Sequence, residues 1–198
     1  MRGSMRTKRQ LTVPDIGLLE AELRREQKKN RIIRVLRKTA NTLMLAAAVS
    51  VLVATLLTPV LRILGHSMTP TLTEGQFVVS VKGSSFQQGD LVSFYIGNNL
   101  LVKRVIALPG DWVDIKVDGT VLINGVELEE PYISEKAFGL CDLELPYQVP
   151  ESKYFLMGDD RDISKDSRSS VIGCVARDQI VGKIVLRIWP LVEFGLVQ

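Results

Sequence analysis

An uncharged stretch of 23 residues, Thr39 to Leu61, constrains this chain more than any other feature. As a helix it would be about 35 Å long, enough to cross a hydrocarbon core of about 30 Å. Pro59 is expected to bend or end this helix near the far surface. A cleavable signal peptide is the alternative, but the basic region before the stretch is 38 residues long and the stretch exceeds the usual apolar core. We predict one transmembrane helix over residues 39–61.

Basic residues are concentrated before this apolar stretch. Residues 1–38 contain 12 Lys or Arg and 4 Asp or Glu, whereas the whole chain has a net charge of only +3. Because basic flanks stay on the cytoplasmic side, we predict that residues 1–38 are cytoplasmic and residues 62–198 lie outside the cell membrane. Membrane lipids are the expected partners of the basic segment. Nucleic-acid binding is not indicated, since the excess charge is neither interleaved with aromatic residues nor placed on the folded part.

The pattern changes to short β-type runs from Gln76 onward. Turn dipeptides separate these runs, and Asp118-Gly119 and Asn124-Gly125 are strong hairpin signals. We therefore predict one all-β domain, with a less regular excursion or small subdomain over residues 129–152. The predicted strands cover residues 77–81, 91–96, 100–108, 112–117, 121–123, 154–157 and 180–188.

Ser67 lies between Gly65 and Pro70, where the backbone favours a tight, non-helical turn that leaves a hydroxyl accessible. A serine nucleophile needs a general base. The only histidine, His66, is adjacent to Ser67, and adjacent side chains of an extended segment diverge, so a Ser-His-Asp triad is not favoured. A lysine is the remaining base. A turn or helix-cap serine is the structural alternative.

Lys103 is the outstanding lysine because it lies within an apolar run, residues 100–108, that predicts a buried strand. Burial lowers the pKa of a lysine from about 10.4 towards the range in which the neutral amine can act as a base. Arg104 would point to the opposite face of the strand. A lysine whose charged end reaches solvent at a sheet edge is the alternative.

A third stretch, residues 157–168, places charges of both signs and two serines in one loop. Carboxylate–guanidinium pairs can hold such a loop rigid. Calcium binding is the alternative, but the loop lacks the terminal glutamate of an EF-hand. One histidine and two distant cysteines, Cys141 and Cys174, do not form a familiar zinc site, so no metal and no cofactor are predicted. A disulfide between the cysteines is left open.

Four motifs resemble those of bacterial type I signal peptidases, in the same order after a membrane anchor. They are SMTPTL from Ser67, GDLVSF from Gly89, LVKRVIALPGD from Leu101 and GDDRDISKDSR from Gly158. The resemblance implies a signal-peptidase-like antiparallel β-sheet domain, in the short form typical of Gram-positive bacteria. It also implies a serine endopeptidase that cleaves signal peptides from secreted preproteins at the outer face of the membrane.

The resemblance also implies a role for individual residues. Ser67 would be the nucleophile and its backbone N–H an oxyanion donor, Lys103 the general base, and Ser164 a hydroxyl that hydrogen-bonds and orients the lysine amine. Gly65 stands where some members carry a serine as second oxyanion donor. The loop scaffold would comprise Asp159, Arg161, Asp166 and Arg168, and the pockets for small residues one and three places before the cut would be lined by Ile63, Leu64, Met68, Leu72 and Val102.

Two other functions fit parts of this pattern. A self-cleaving Ser/Lys protease of the repressor type resembles the same fold, but the membrane anchor argues against it. An inactive membrane-bound module that captures preproteins is the second, and the joint presence of Ser67, Lys103 and Ser164 argues against that. The sequence therefore favours an active membrane-bound Ser/Lys endopeptidase.

Overall fold

A long amino-terminal helix, α1, extends over Ile16–Leu57. The structure is a computed structural model and describes residues 16–83 and 85–197. The part of the basic segment before Ile16 therefore lies outside the described residues. By length and composition, α1 is apolar enough to cross a membrane. Its uncharged portion, from Thr39 to Leu57, is about 28 Å long, close to the thickness of a hydrocarbon core.

The carboxyl end of α1 differs from the predicted end of the transmembrane helix. The helix ends at Leu57, and Val60 and Leu61 belong to a strand instead. Pro59 explains the change, because it has no backbone N–H and it disfavours a helical conformation of Thr58. The prediction that the helix continues to Leu61 is therefore wrong for its last residues, whereas the expected effect of Pro59 is confirmed.

Twelve short strands follow α1 in the part of the chain that the structure describes. The seven predicted strands are all present, with ends that differ by no more than two residues. The remaining five have only two or three residues each. The strands are β1 Val60–Arg62, β2 Phe77–Val81, β3 Leu91–Ile96, β4 Asn99–Ala107, β5 Trp112–Ile115, β6 Val121–Ile123, β7 Val126–Glu127, β8 Tyr147–Gln148, β9 Lys153–Met157, β10 Val175–Ala176, β11 Ile180–Trp189 and β12 Gly195–Leu196.

The strands form two antiparallel sheets, which confirms the predicted all-β domain. The larger sheet has the order β1-β2-β11-β3-β4-β9-β10, and β12 pairs with β11. The smaller sheet has the order β7-β6-β5-β8. The predicted excursion contributes β8 to the smaller sheet, and most of its other residues lie in turns and irregular segments.

Three apolar clusters form the core of the β domain. One cluster, which includes Ile63, Met68 and Leu72, lies beneath the turn between β1 and β2. A second cluster, which includes Phe94 and Val105, packs on the opposite face of β4. The third joins the two sheets and includes Ile106, Val113 and Phe155. Strand β4 contributes to all three clusters, directly or through partly buried residues, and is thus the central support of the site described next.

Candidate active site

Ser67 lies in the segment that connects β1 to β2. Gly65 has a φ of +80°, a left-handed conformation that a glycine adopts without steric cost. The Thr69 N–H donates to the His66 carbonyl at 2.9 Å and closes a turn around the serine. Met68 is buried in the core beneath, so the turn is anchored on one side while Ser67 stays half-buried.

Lys103 on β4 contacts this serine directly. Its Nζ donates a hydrogen bond to Ser67 Oγ at 2.6 Å, although the two residues are 36 positions apart in the chain. Lys103 is only 3% exposed and forms no ion pair with any described residue. Burial lowers the pKa of its amine to about 8, and the negative charge of Asp166 offsets part of this effect. The site therefore contains a lysine whose neutral form is accessible near neutral pH.

Arg104, the next residue on β4, has a different environment. Its guanidinium donates two hydrogen bonds to the Asp159 carboxylate, at 2.9 and 2.7 Å, and a third to the Gly89 carbonyl at 2.8 Å. It also lies over the Tyr132 ring, 3.8 Å from the centroid. The charge of Arg104 is thus matched by Asp159, whereas Lys103 has a hydroxyl as its hydrogen-bond partner.

A buried ionic scaffold holds the loop of residues 158–168. Arg168 pairs with Asp166 at 2.9 Å, and the Asp166 carboxylate accepts the Gly158 N–H at 3.0 Å. Arg161 forms two hydrogen bonds to Glu130 and donates a third to the Gly158 carbonyl at 3.0 Å. Both amide groups that flank Gly158 are therefore held by buried charged side chains.

Two partners in this scaffold were not indicated by the sequence. Asp159 pairs with Arg104 rather than with a residue of its own loop, and Arg161 pairs with Glu130 from the irregular segment after β7. The mixed charges of the loop indicated that such pairs exist, but no local pattern singled out Glu130. These partners depend on long-range packing, which sequence spacing does not report.

Ser164 lies close to Gly158 and forms no hydrogen bond with Lys103. Its Oγ is buried and has no hydrogen-bond partner among the described residues. Gly158 separates it from the Ser67 segment so closely that a Cβ at position 158 would overlap both Ser164 Oγ and the Ser67 carbonyl. The hydrogen bond from Ser164 to the Lys103 amine, implied by the resemblance, is absent in this arrangement, and the role of Ser164 stays a prediction.

A small cleft of about 90 Å³ opens beside Ser67 and Lys103. Four of the five residues predicted to contact substrate line it: Ile63, Leu64, Met68 and Val102. Leu72, the fifth, does not line the cleft. It is fully buried in the cluster beneath, where it packs with Ile63 and Met68. The cleft is thus narrow, and its lining is mixed, since Arg62, Ser67 and Lys103 lie among apolar side chains.

Three other residues considered in the sequence analysis do not belong to the site formed by Ser67 and Lys103. His66 is exposed and lies 3.4 Å from the Glu74 carboxylate, with no hydrogen bond to Ser67. Cys141 and Cys174 are both free, so the two cysteines form no disulfide in this structure.

Comparison with known proteins identifies the chain as a serine-type peptidase. The model of a family described as signal peptidase, peptidase S26, matches residues 36–189. The chain belongs to this family, and signal-peptide cleavage is the activity that this membership supports.

Two relatives with similar sequences, which are described first below, agree with this assignment. A signal peptidase IB of Staphylococcus aureus (strain COL) is 38% identical over 150 residues, which are 66% of this chain and 77% of the relative. A signal peptidase I of Bacillus amyloliquefaciens is 32% identical over 186 residues, which are 88% of this chain and 97% of the relative. A crystal structure of a signal peptidase I from Enterococcus faecalis V583 has 31% sequence identity to this chain. The match covers 50% of this chain and 97% of the chain in that crystal structure, with a TM-score of 0.43.

Proposed function

We propose that this chain is a membrane-bound endopeptidase that removes N-terminal signal peptides from secreted preproteins with a Ser67/Lys103 dyad. The observation that carries the proposal is the hydrogen bond of 2.6 Å between Lys103 Nζ and Ser67 Oγ. It joins a nucleophile to a buried amine whose pKa is lowered to about 8. A base must lie within hydrogen-bond reach and have a pKa near the working pH, and Lys103 meets both conditions.

The proposed reaction has two halves. Neutral Lys103 accepts the Ser67 hydroxyl proton while Oγ attacks the scissile carbonyl, and the Ser67 backbone N–H stabilises the resulting oxyanion. The ammonium then gives its proton to the leaving amine, and an acyl-enzyme remains. Water loses a proton to the regenerated amine and attacks the ester. The ammonium then returns this proton to Ser67 Oγ as the signal peptide leaves with a free carboxylate.

The loop scaffold supports this chemistry by holding the backbone next to the Ser67 segment in place. Asp166 and Arg168 hold the backbone at Gly158, next to the Ser67 carbonyl, while Asp159 and Arg161 fix the same loop from two other directions. The buried Ser164 hydroxyl has no hydrogen-bond partner among the residues that the structure describes, and an unpaired buried hydroxyl is costly unless it is used in another state. We assign it as a hydrogen-bond partner of the Lys103 amine once substrate is bound.

An extended substrate fits the sheet edge beside the dyad. Strand β9 pairs with β4 only at Arg104, Val105 and Ala107, so residues 99–103 of β4 have no strand partner on that side in the described part of the chain. A peptide that adds to this free edge would form main-chain hydrogen bonds and direct alternate side chains into the narrow cleft. Such binding favours small side chains one and three places before the cut.

The same proposal places the β domain outside the cell, with α1 in the membrane and lipids as partners. The basic residues of α1 before Thr39 support this orientation. Exposed apolar side chains of the β domain, including Trp189, Val192 and Phe194, support contact with lipid. Protease added to intact cells should digest the β domain, and complete protection of that domain would contradict the topology.

The dyad is tested by cleavage of a preprotein with the purified full chain in a non-ionic detergent. We expect Ser67→Ala and Lys103→Ala each to reduce cleavage by at least about a thousandfold, as loss of a nucleophile or its base does. Ser85→Ala and Lys116→Ala change exposed residues of the same types and should retain activity. Full activity of Lys103→Ala would refute the assigned base. A parent protein that binds preproteins, never cuts them and resists a serine-acylating inhibitor would instead be a capture module.

A further inference from the structure

The two faces of β4 next to the dyad pack against different apolar clusters. Val102 packs with the cluster of Ile63 and Met68, on the face of the narrow cleft. Leu101 packs with the cluster of Phe94, on the opposite face. Successive residues of a strand point to opposite sides, so Leu101 and Lys103 share the second face.

A second cavity shares Ser67, Leu101 and Lys103 with the narrow cleft and extends along the second face towards Ile96 and Ile172. Its volume is about 350 Å³, and it is lined by Ser67, Ile96, Asn99, Leu101, Lys103, Lys165 and Ile172. The lining contains three apolar side chains and two lysines, but no carboxylate. Lys165 is exposed, and no described residue forms an ion pair with it. The cavity thus offers an apolar wall and an unmatched positive charge.

We propose that this cavity binds the side chain of the substrate residue two places before the cut, and that Lys165 gives it a preference for a carboxylate. The inference rests on the proposed function. If residues one and three places before the cut occupy the narrow cleft, the side chain between them must point to the opposite face. A glutamate there would pack its methylenes against Leu101 and Ile172 while its carboxylate meets the Lys165 ammonium.

The expected preference is modest because Lys165 is exposed. Exposed ion pairs contribute up to about 1 kcal/mol, which corresponds to a rate ratio of about fivefold. We therefore expect glutamate to exceed glutamine at this position by about three- to fivefold in kcat/KM at low salt. The ratio should approach one at about 1 M salt, where the screening length is only about 3 Å.

The test uses the full chain in a neutral detergent and peptides that span a signal peptide and its cleavage site. The peptides differ only in the residue two places before the cut, which is glutamate, glutamine or lysine. Lys165→Met should bring the glutamate-to-glutamine ratio close to one, and Lys165→Glu should invert it and favour lysine. Lys116→Glu makes the same change of charge at an exposed position in the smaller sheet and should keep the parent ratio.

The ratio within each variant is the decisive quantity. Both peptides meet the same enzyme form, so a change in the pKa of Lys103 caused by the substitution cancels. A parent ratio that persists in Lys165→Glu overturns the proposal. A charge preference found only at positions after the cut overturns the placement of the side chain. A parent that cuts the glutamine peptide without any charge preference contradicts this subsite alone, whereas a parent that cuts no peptide contradicts the peptidase function as well.

Discussion

The pH dependence of cleavage follows from the environment of the Lys103 amine. Burial lowers its pKa from 10.5 to about 8, with partial compensation by Asp166. At about 1.36 kcal/mol per pKa unit, the site disfavours the charged amine by roughly 3 kcal/mol. Neutral amine is the reactive form, so its fraction sets the rate. About half of the enzyme is competent at pH 8, about a tenth at pH 7 and about a hundredth at pH 6.

The assay is kcat/KM for a peptide without titratable groups near the cut, measured between about pH 6 and pH 10, because kcat/KM reports the pKa of the free enzyme. We expect a tenfold rise per pH unit below the midpoint and a plateau above about pH 9. Enzyme incubated at each pH and returned to pH 8 should recover its activity, which separates titration from unfolding.

His66→Gln is the matched control for this profile. His66 is the only histidine of the chain and is adjacent to Ser67, but it is exposed beside Glu74 rather than bonded to the dyad. The variant should therefore keep the parent midpoint. A midpoint that disappears in His66→Gln, or a parent midpoint near the ordinary lysine value of 10.5, would refute the assignment of a desolvated Lys103 as the base.

Two further predictions concern the scaffold. Gly158→Ala would place a Cβ closer than 3.0 Å to Ser164 Oγ and to the nucleophile's carbonyl, and a displacement of about 1 Å there should lower kcat by about 100-fold in the peptide assay. Glu130→Ala would leave the buried Arg161 guanidinium without its carboxylate, which should cost about 3–5 kcal/mol and appear as a lower midpoint of thermal unfolding.

Each of these substitutions has a control in the same chain. Gly195 has no atom within 4 Å of an added Cβ, so Gly195→Ala should leave kcat unchanged. Glu129 is exposed, and Glu129→Ala should leave the unfolding midpoint within about 1 °C. Parent activity in Gly158→Ala would mean that the loop can move without loss of the dyad. An unchanged midpoint in Glu130→Ala would mean that the ion pair adds nothing to stability.

Local pattern was enough to predict most of the fold. Strands with alternating or continuous apolar residues between turn dipeptides, such as β2, β3 and β6, have the predicted ends. The five strands that were not predicted, such as β7 and β10, have only two or three residues each and are too short to show a period. β6 is equally short, but the turn dipeptides Asp118-Gly119 and Asn124-Gly125 marked both of its ends. The predicted end of α1 was too late because the whole uncharged stretch to Leu61 was assigned to the helix. Pro59, which lies within that stretch, already indicated where the helix ends.

The candidate site was predictable where chemistry depends on residue type and local burial. A turn and an apolar run singled out Ser67 and Lys103, and the resemblance to signal peptidases implied their roles. The structure brings the two residues to hydrogen-bond distance. Glu130 could not be identified, because its importance comes from a contact with Arg161 across 31 positions of the chain. Leu72 was placed in the substrate pocket by resemblance, whereas packing puts it one layer below.

The consecutive cations of β4 show how one strand provides both a base and a rigid support. Lys103 and Arg104 are each no more than 3% exposed, so burial opposes the charge of both. Asp159 accepts two hydrogen bonds from the Arg104 guanidinium, and this pairing offsets the cost of removing the arginine charge from water. Lys103 receives a hydroxyl instead, and its amine therefore loses the proton more readily. The alternation of the strand thus separates a permanent structural charge from a proton acceptor over a single residue step.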